Sequence, residues 1–334
     1  MLLPSRTAQN RPDSLLSDRL LDWDQHVVHL GGHVYQSRAW AVFQAAQGRH
    51  VLSAAGDTWN WLAAVRRGRG RMTYLYAAYG PTVQAGGLAS AVASLVCAGR
   101  DVHADFIRFE PLGTVQAAAV HELGGRPVGD MQPRYRLVLD ISAEETHLRR
   151  NISSSNRNLI NTAAKRGLSF KVTSEPAMIS EYLAMQRQTT ARNKFKTQPD
   201  AYFQQLAQAL LPMGAARLYF AVHDGKPVAS AIGMDFGGTR YYVYAASYPD
   251  LNRQLKAAVA LLWWMIVDAR AQGLLTFDYG GVAPDDQPHH PWAGLTRFKK
   301  SLGGEVVASV GTWEIPLKPV KYRTYHWART ILQV

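Results

Sequence analysis

Apolar-rich, strand-like runs occupy residues 59–66 and 72–76, and the pattern of apolar positions reads as helical over 38–48 and 88–98. An apolar run at 105–109 ends at Glu110-Pro111, a helix follows through 115–123, and Gly124-Gly125 stops it. These segments make one α/β unit. A second unit opens with the β-rich Tyr135-Arg-Leu-Val-Leu-Asp140 and the cap-like Ser142-Ala-Glu-Glu145, which starts a long helix reaching about Arg166, with Gly167 as its stop. Helices over 177–192 and 200–211 lead to strands at 216–223 and 227–235, joined by Asp224-Gly225, a pair suited to a tight hairpin turn. A strand over 239–246, an apolar helix over 253–272 and a strand over 275–279 complete an order resembling that of the first unit.

A length of 334 residues suits two domains, and 47% hydrophobic residues with nine Trp and fifteen Tyr exclude a disordered chain. The single Cys97, in the apolar run 88–98, rules out an internal disulfide and is expected in the core. Lys and Arg number 37 against 25 Asp and Glu, a net charge of +12 that favours an anionic partner: nucleic acid, a nucleotide-linked substrate or an anionic membrane. The helix after Glu145 carries Arg149, Arg150, Arg157, Lys165 and Arg166, a basic face that either lies in solvent or binds phosphate. The tail over 318–329 mixes four basic residues with Tyr322, Tyr325 and Trp327; a terminal helix across the domain junction accounts for it better than a nucleic-acid surface. No signal-peptide core occurs in the first thirty residues, and the longest apolar run, 257–267, falls short of the roughly 20 residues that span a bilayer. The expectation is a soluble, cytoplasmic protein with at most peripheral membrane contact. Asp285, Asp286, His289 and His290 have metal-capable side chains, but adjacent histidines rarely face one ion and no metal is expected.

Three stretches carry a family resemblance. They are Tyr135 to Asp140 followed by Arg157-Asn-Leu-Ile-Asn-Thr-Ala-Ala-Lys165-Arg-Gly167; Phe277-Asp278-Tyr-Gly280-Gly281; and Gly294-Leu-Thr-Arg-Phe298-Lys299 with Gly303-Gly304 and a late strand ending at Pro316. With Gln36-Ser-Arg-Ala-Trp40 and Tyr79-Gly-Pro81, this order resembles the FemABX family of peptidoglycan bridge-forming aminoacyltransferases over nearly the whole chain. Only a few residues separate 211 from the strand at 216, so the chain is closer to members that lack the long helical arm. The resemblance implies an α/β (α+β) fold of two tandem acetyltransferase-like domains with mixed sheets flanked by helices. The first domain would take residues 1–134 and 317–334, and the second 135–316.

It also implies the chemistry: an amino acid passes from aminoacyl-tRNA, the co-substrate, to the stem peptide of a peptidoglycan precursor, UDP-MurNAc-pentapeptide or lipid II, with no bound cofactor. An activated ester attacked by an amine needs alignment and oxyanion stabilisation more than acid–base machinery. The family match gives the oxyanion charge to Lys299 and placement of the acyl-tRNA end to Phe298. Glu110 stands where the family has Asp before Pro, as a carboxylate to orient the attacking amine. Arg38 and Arg192 match positions that contact the precursor diphosphate, with Tyr244 lining the same cleft. Two alternatives stay open. A coenzyme A-dependent acyltransferase would place its pyrophosphate at the helix start Arg253-Gln-Leu-Lys256-Ala-Ala258, where Lys256 occupies the position of a close-approach glycine. A non-catalytic binding protein of the same fold is the other.

Overall fold

A computed structural model describes residues 21–193, 197–285 and 287–331. The strands are β1 Val51–Gly56, β2 Trp59–Arg67, β3 Thr73–Ala77, β4 Thr82–Val83, β5 Phe106–Phe109, β6 Leu112–Gly113, β7 Arg126–Pro127, β8 Tyr135–Asp140, β9 Leu168–Thr173, β10 Ala216–His223, β11 Lys226–Phe236, β12 Thr239–Ser247, β13 Thr276–Gly281, β14 Glu305–Ala308 and β15 Trp313–Pro316. The helices are α1 Leu21–His29, α2 Arg38–Ala46, α3 Leu88–Asp101, α4 Ala117–Glu122, α5 Glu145–Arg150, α6 Ser154–Asn161, α7 Ile179–Asn193, α8 Asp200–Leu210, α9 Pro249–Leu255, α10 Ala257–Ala271, α11 Ala293–Lys300 and α12 Pro319–Ile331.

Two mixed sheets form, one per unit. The first runs β6-β4-β2-β3-β5-β15-β7 with β1 on β2, and the second runs β14-β8-β13-β12-β11-β10-β9. Asp224 (φ 48°) and Gly225 (φ 73°) both take the left-handed region that a tight β10–β11 turn of matching twist requires. The second sheet opens at its middle. β12 and β13 pair in parallel only from Thr239–Tyr241 to Thr276–Asp278; beyond that, β12 stays with β11 and β13 with β8. The unpaired strand ends at this fork leave backbone groups available to side chains or ligands.

The expected domain boundary shifts at its C-terminal edge. β15, placed by sequence in the second domain, pairs with β5 and β7 in the first sheet. Trp313 is buried in the first core, and Glu314, fully buried, accepts from Arg108 Nε at 2.7 Å, Tyr322 Oη at 2.6 Å and His326 Nε2 at 3.0 Å. The same bonds dock α12 on the first sheet, helped by Lys318 and Lys321 on the buried Asp105 carboxylate at 3.1 and 2.7 Å. Replacing Glu314 by Ala strips a buried cation of its partner and should cost about 3–5 kcal/mol, read by chemical denaturation.

Two helices predicted as continuous are broken. The basic segment after Glu145 divides into α5 and α6 because Ser153 caps a new start, accepting from the Asn156 amide at 3.4 Å, and its Ser/Asn run competes for backbone bonds. Arg149 is spent on Glu145 at 2.8 Å and Asn161 at 2.9 Å, and Arg166 on the Leu255 and Leu159 carbonyls, which removes two of the five cations from any phosphate surface there. The apolar segment from 253 divides at Lys256, whose φ of 50° ends α9 and begins α10. Cys97 is exposed, contrary to expectation. The core-facing stripe of α3 is Ala91, Val92, Leu95 and Gly99, and Cys97 lies about 200° around the helix from Leu95.

The domains share a core. Trp23, Val27, Trp40 and Phe43 from the first pack with Tyr182, Phe203, Leu206 and Phe220 from the second, so the junction is a dry interface of the kind that fixes domain orientation. Among the described residues no helix is long and apolar enough to cross a membrane.

Candidate active site

Lys299 lies on α11, whose outer face carries Lys300 paired with Asp285. Lys299 turns inward. It is 5% exposed, and its Nζ donates to the Gly281 carbonyl at 2.7 Å, at the end of β13 where the sheet has forked. Burial lowers its pKa to about 8 against the raising influence of the Asp278 carboxylate. Asp278 in turn pairs with Arg136 of β8 and accepts the Gly280 amide at 2.7 Å. The guanidinium of Arg136 sits 5.2 Å from the Tyr79 ring centroid, and Tyr79 Oη donates to the Pro133 carbonyl at 2.9 Å. Lys299 is thus coupled electrostatically to Asp278, and contacts run on from Asp278 through Arg136 to Tyr79, crossing from the second domain to the first.

At the far end stands Glu110, 2% exposed. One carboxylate oxygen accepts from Thr312 Oγ1 at 2.7 Å and the Gln132 amide at 2.8 Å; the other accepts from Tyr76 Oη at 2.9 Å and the Tyr79 amide at 3.1 Å. Burial raises its pKa, and these four bonds oppose the rise. All four in-plane lone-pair positions are filled, so the expected role of Glu110 in orienting an amine does not fit its geometry. It braces instead, tying together the two chain crossovers between domains, at Gln132 and Thr312.

Phe298 is half-buried and lines a cleft of about 280 Å³ with Pro249, Asn252, Arg253, Lys256, Ala258 and Val259. Ala258 also lines a smaller recess of about 110 Å³ with Tyr242, Ala245, Ala246 and Ser230, so the two openings meet at the start of α10. Tyr242 connects this recess to the lysine: a Cβ added at Gly280 would lie 3.4 Å from the Tyr242 carbonyl oxygen and 4.0 Å from Lys299 Nζ. Gly280 has φ 74°. Both distances are ordinary contacts, so Gly280→Ala should act through its backbone strain alone, costing about 1–3 kcal/mol of stability, which paired melts would measure.

The other sequence candidates sit on other elements, α2, β12 and α7. Arg38 opens α2, where its amide donates to Asp24 Oδ1 at 2.7 Å. Tyr244, partly buried, bonds Tyr202 Oη through its own Oη at 2.9 Å, and its ring packs on Phe203 in the junction core. Arg192 falls in the last turn of α7, and its side chain is outside the described residues, as is Asp286 of the proposed metal-capable group. Of the rest of that group, Asp285 pairs with Lys300 and His290 Nδ1 accepts the Trp292 amide at 3.1 Å.

Sequence reasoning quoted Asp278 and Arg136 inside motifs without giving them roles, and it missed His33. The His33 ring sits 4.2, 4.4 and 4.8 Å from the rings of Tyr79, Tyr241 and Tyr35, and Nδ1 accepts the Tyr35 amide. Burial and the nearby Arg136 charge hold this imidazole well below its usual pKa, so it is neutral at pH 7. A charged residue within an apolar strand was the available signal for Asp278; its partner depends on strand register, which one sequence does not display.

Residues 146–300 match the family model described as an acetyltransferase (GNAT) domain, which spans the second domain from α5 to α11. The crystal structure of FemX superposes with a TM-score of 0.79 at 17% identity, covering 91% of this chain and 98% of that one. The structure of L-PGS from Bacillus licheniformis gives 0.59 at 12% identity, over 95% and 97% of the two chains. The lipid II:glycine glycyltransferase of Staphylococcus epidermidis is 20% identical over 253 residues, covering 58% of this chain and 60% of that protein, so the chain spans less than two thirds of this relative. The tandem fold, with two acetyltransferase-like domains, is thus the one seen in FemX, and the GNAT match falls on its second domain.

Proposed function

We propose that the protein is an aminoacyltransferase that moves an amino acid from aminoacyl-tRNA to an amine on the stem peptide of a peptidoglycan precursor, working at the cytoplasmic face of cell-wall synthesis. The observation that carries this reading is the inward Lys299 Nζ at the sheet fork, beside the Phe298 cleft and backed by Asp278. In this reading the acceptor nitrogen attacks the ester carbonyl, and the Lys299 ammonium balances the charge that develops on the carbonyl oxygen. The C–O bond to the ribose then breaks, the 3′ oxygen leaves with a proton, and an amide replaces the ester. A partly dry site strengthens that interaction without requiring reorganisation at the moment of reaction.

A glycyltransferase acting on lipid II among the relatives supports a precursor of this class as acceptor. The start of α10 supports tRNA over coenzyme A as donor. There the Ala258 amide, one of the groups a pyrophosphate cradle would use, is already taken by Asn252 Oδ1 at 2.8 Å, and the Lys256 side chain stands at the helix cap. The test presents purified protein with UDP-MurNAc-pentapeptide or lipid II, a panel of charged tRNAs and, separately, acyl-coenzyme A donors. An acceptor mass increased by one amino-acid residue, dependent on charged tRNA, is expected; transfer from coenzyme A alone would discard the tRNA reading.

A further inference from the structure

Val320 at 70% exposure and Trp327 at 67% are the two most exposed large apolar side chains among the described residues, and both belong to α12. Seven residues apart on a helix, they point within about 20° of one another, about two turns apart along the axis. Exposed Thr324 lies between them and exposed Arg323 beside them. The opposite side of α12 is already committed, since Tyr322 is buried with Met72 and Phe106 in the first domain. A helix that docks by one face therefore presents a second, apolar stripe to solvent.

Cations surround this stripe. The turn between β2 and β3 reads Arg67-Gly-Arg-Gly-Arg71, and both Arg67 and Arg71 are exposed. Lys321 Nζ donates to the Arg71 carbonyl at 3.3 Å, which sets the turn against α12. Lys318 Nζ donates to the carbonyl of exposed His103 at 2.9 Å, in the loop that follows exposed Arg100. Arg67, Arg71 and Arg323 pair with no carboxylate among the described residues. The acids nearby are Asp105, buried beneath Lys318 and Lys321, and Asp101, exposed beside Arg100. One surface thus combines two solvent-facing apolar anchors with an excess of positive charge.

We propose that α12 and the β2–β3 turn form a docking surface for an anionic lipid bilayer, with Val320 and Trp327 entering the headgroup region and Arg71 and Arg323 meeting lipid phosphates. A tryptophan and an aliphatic residue on one helix face, flanked by cations, suit a helix that lies on a membrane without crossing it. Each cation held near the lipid surface strengthens the attraction to anionic headgroups. A nucleic-acid strand would stack on Trp327 but bring its phosphates onto Val320, where they gain nothing. Pairing of this face with a second copy would set Arg71 and Arg323 against the same charges on the partner. The surface is independent of the transfer chemistry at Lys299.

The experiment sediments the full chain with vesicles of equal parts phosphatidylglycerol and phosphatidylcholine, and with vesicles of phosphatidylcholine alone. Wild type should bind the anionic vesicles more tightly, and added salt should weaken that binding. The double variant Val320→Ser/Trp327→Ser should bind at least about tenfold more weakly, through the loss of apolar insertion. Arg71→Gln/Arg323→Gln should lose about tenfold as well, and its remaining binding should depend less on salt. Both double variants should melt close to wild type, since all four side chains stand in solvent. Failure of wild type to bind anionic vesicles, equal binding by wild type and both variants, or a double variant that melts well below wild type overturns the proposal. So does a gel-shift or sedimentation-velocity result in which Val320→Ser/Trp327→Ser abolishes tRNA binding or a dimer while vesicle binding is unchanged.

Discussion

Lys299→Ala should lower the rate of aminoacyl transfer by about 100- to 1,000-fold, the loss typical when one preorganised oxyanion donor is removed, while leaving acceptor binding nearly unchanged. The fold should survive, since Asp278 keeps Arg136 as its partner. Because burial brings the Lys299 pKa to about 8, the active cation is lost as pH rises through that value, so transfer should decline above pH 8. In Lys299→Arg the residual activity should lose this decline, because a guanidinium keeps its charge. Stability gives an independent reading of the same group. The native lysine titrates near 8 and the unfolded one near 10.5, so the unfolded chain binds more protons between these values and wild-type stability rises with pH across that window. Lys299→Met should therefore gain stability over wild type below pH 8, and the gain should vanish by about pH 10.5.

Asp278→Asn should be the most destabilising change at the site. Asp278 is 2% exposed and serves two buried cations, the ion-paired Arg136 and the electrostatically coupled Lys299. An amide of the same shape leaves both without a counter-charge, which should cost about 3–5 kcal/mol. Denaturant titration would show the midpoint shift. The Lys299 titration should also move below 8 in this variant, because the carboxylate charge that raises it has been removed. A smaller loss, with the lysine titration unmoved, would mean that Asp278 acts only within its own strand.

Much of the fold was legible because local rules and hydrophobic period agreed. Asp224-Gly225 marked the β10–β11 turn, and the strands at 216–223 and 227–235 match β10 and β11 to within one residue. Errors arose where tertiary partners outvoted local pattern. The run after Glu145 has a helical composition, yet the Ser153 cap and the internal uses of Arg149 and Arg166 divide it. β15 lies next in sequence to the second domain but finds its partners, Arg108 and β5, some two hundred residues earlier. The candidate site divides in the same way. Lys299 stood out only through the family resemblance, since Phe298-Lys299-Lys300 alone reads as an amphipathic surface, and burial at the sheet fork distinguishes Lys299 from the exposed Lys300. Glu110 was visible as a carboxylate before proline, but its four donors come from three separate segments and fix it as a brace.

The most direct measurement is single-turnover transfer from a tRNA charged with labelled amino acid to the precursor peptide, comparing wild type with Lys299→Ala at pH 7. The account requires label to appear in an amide on the acceptor with wild type, at a rate about 100-fold or more above that of the variant. Equal rates for the two proteins, or label that never leaves tRNA while acyl-coenzyme A donors are consumed, would contradict it.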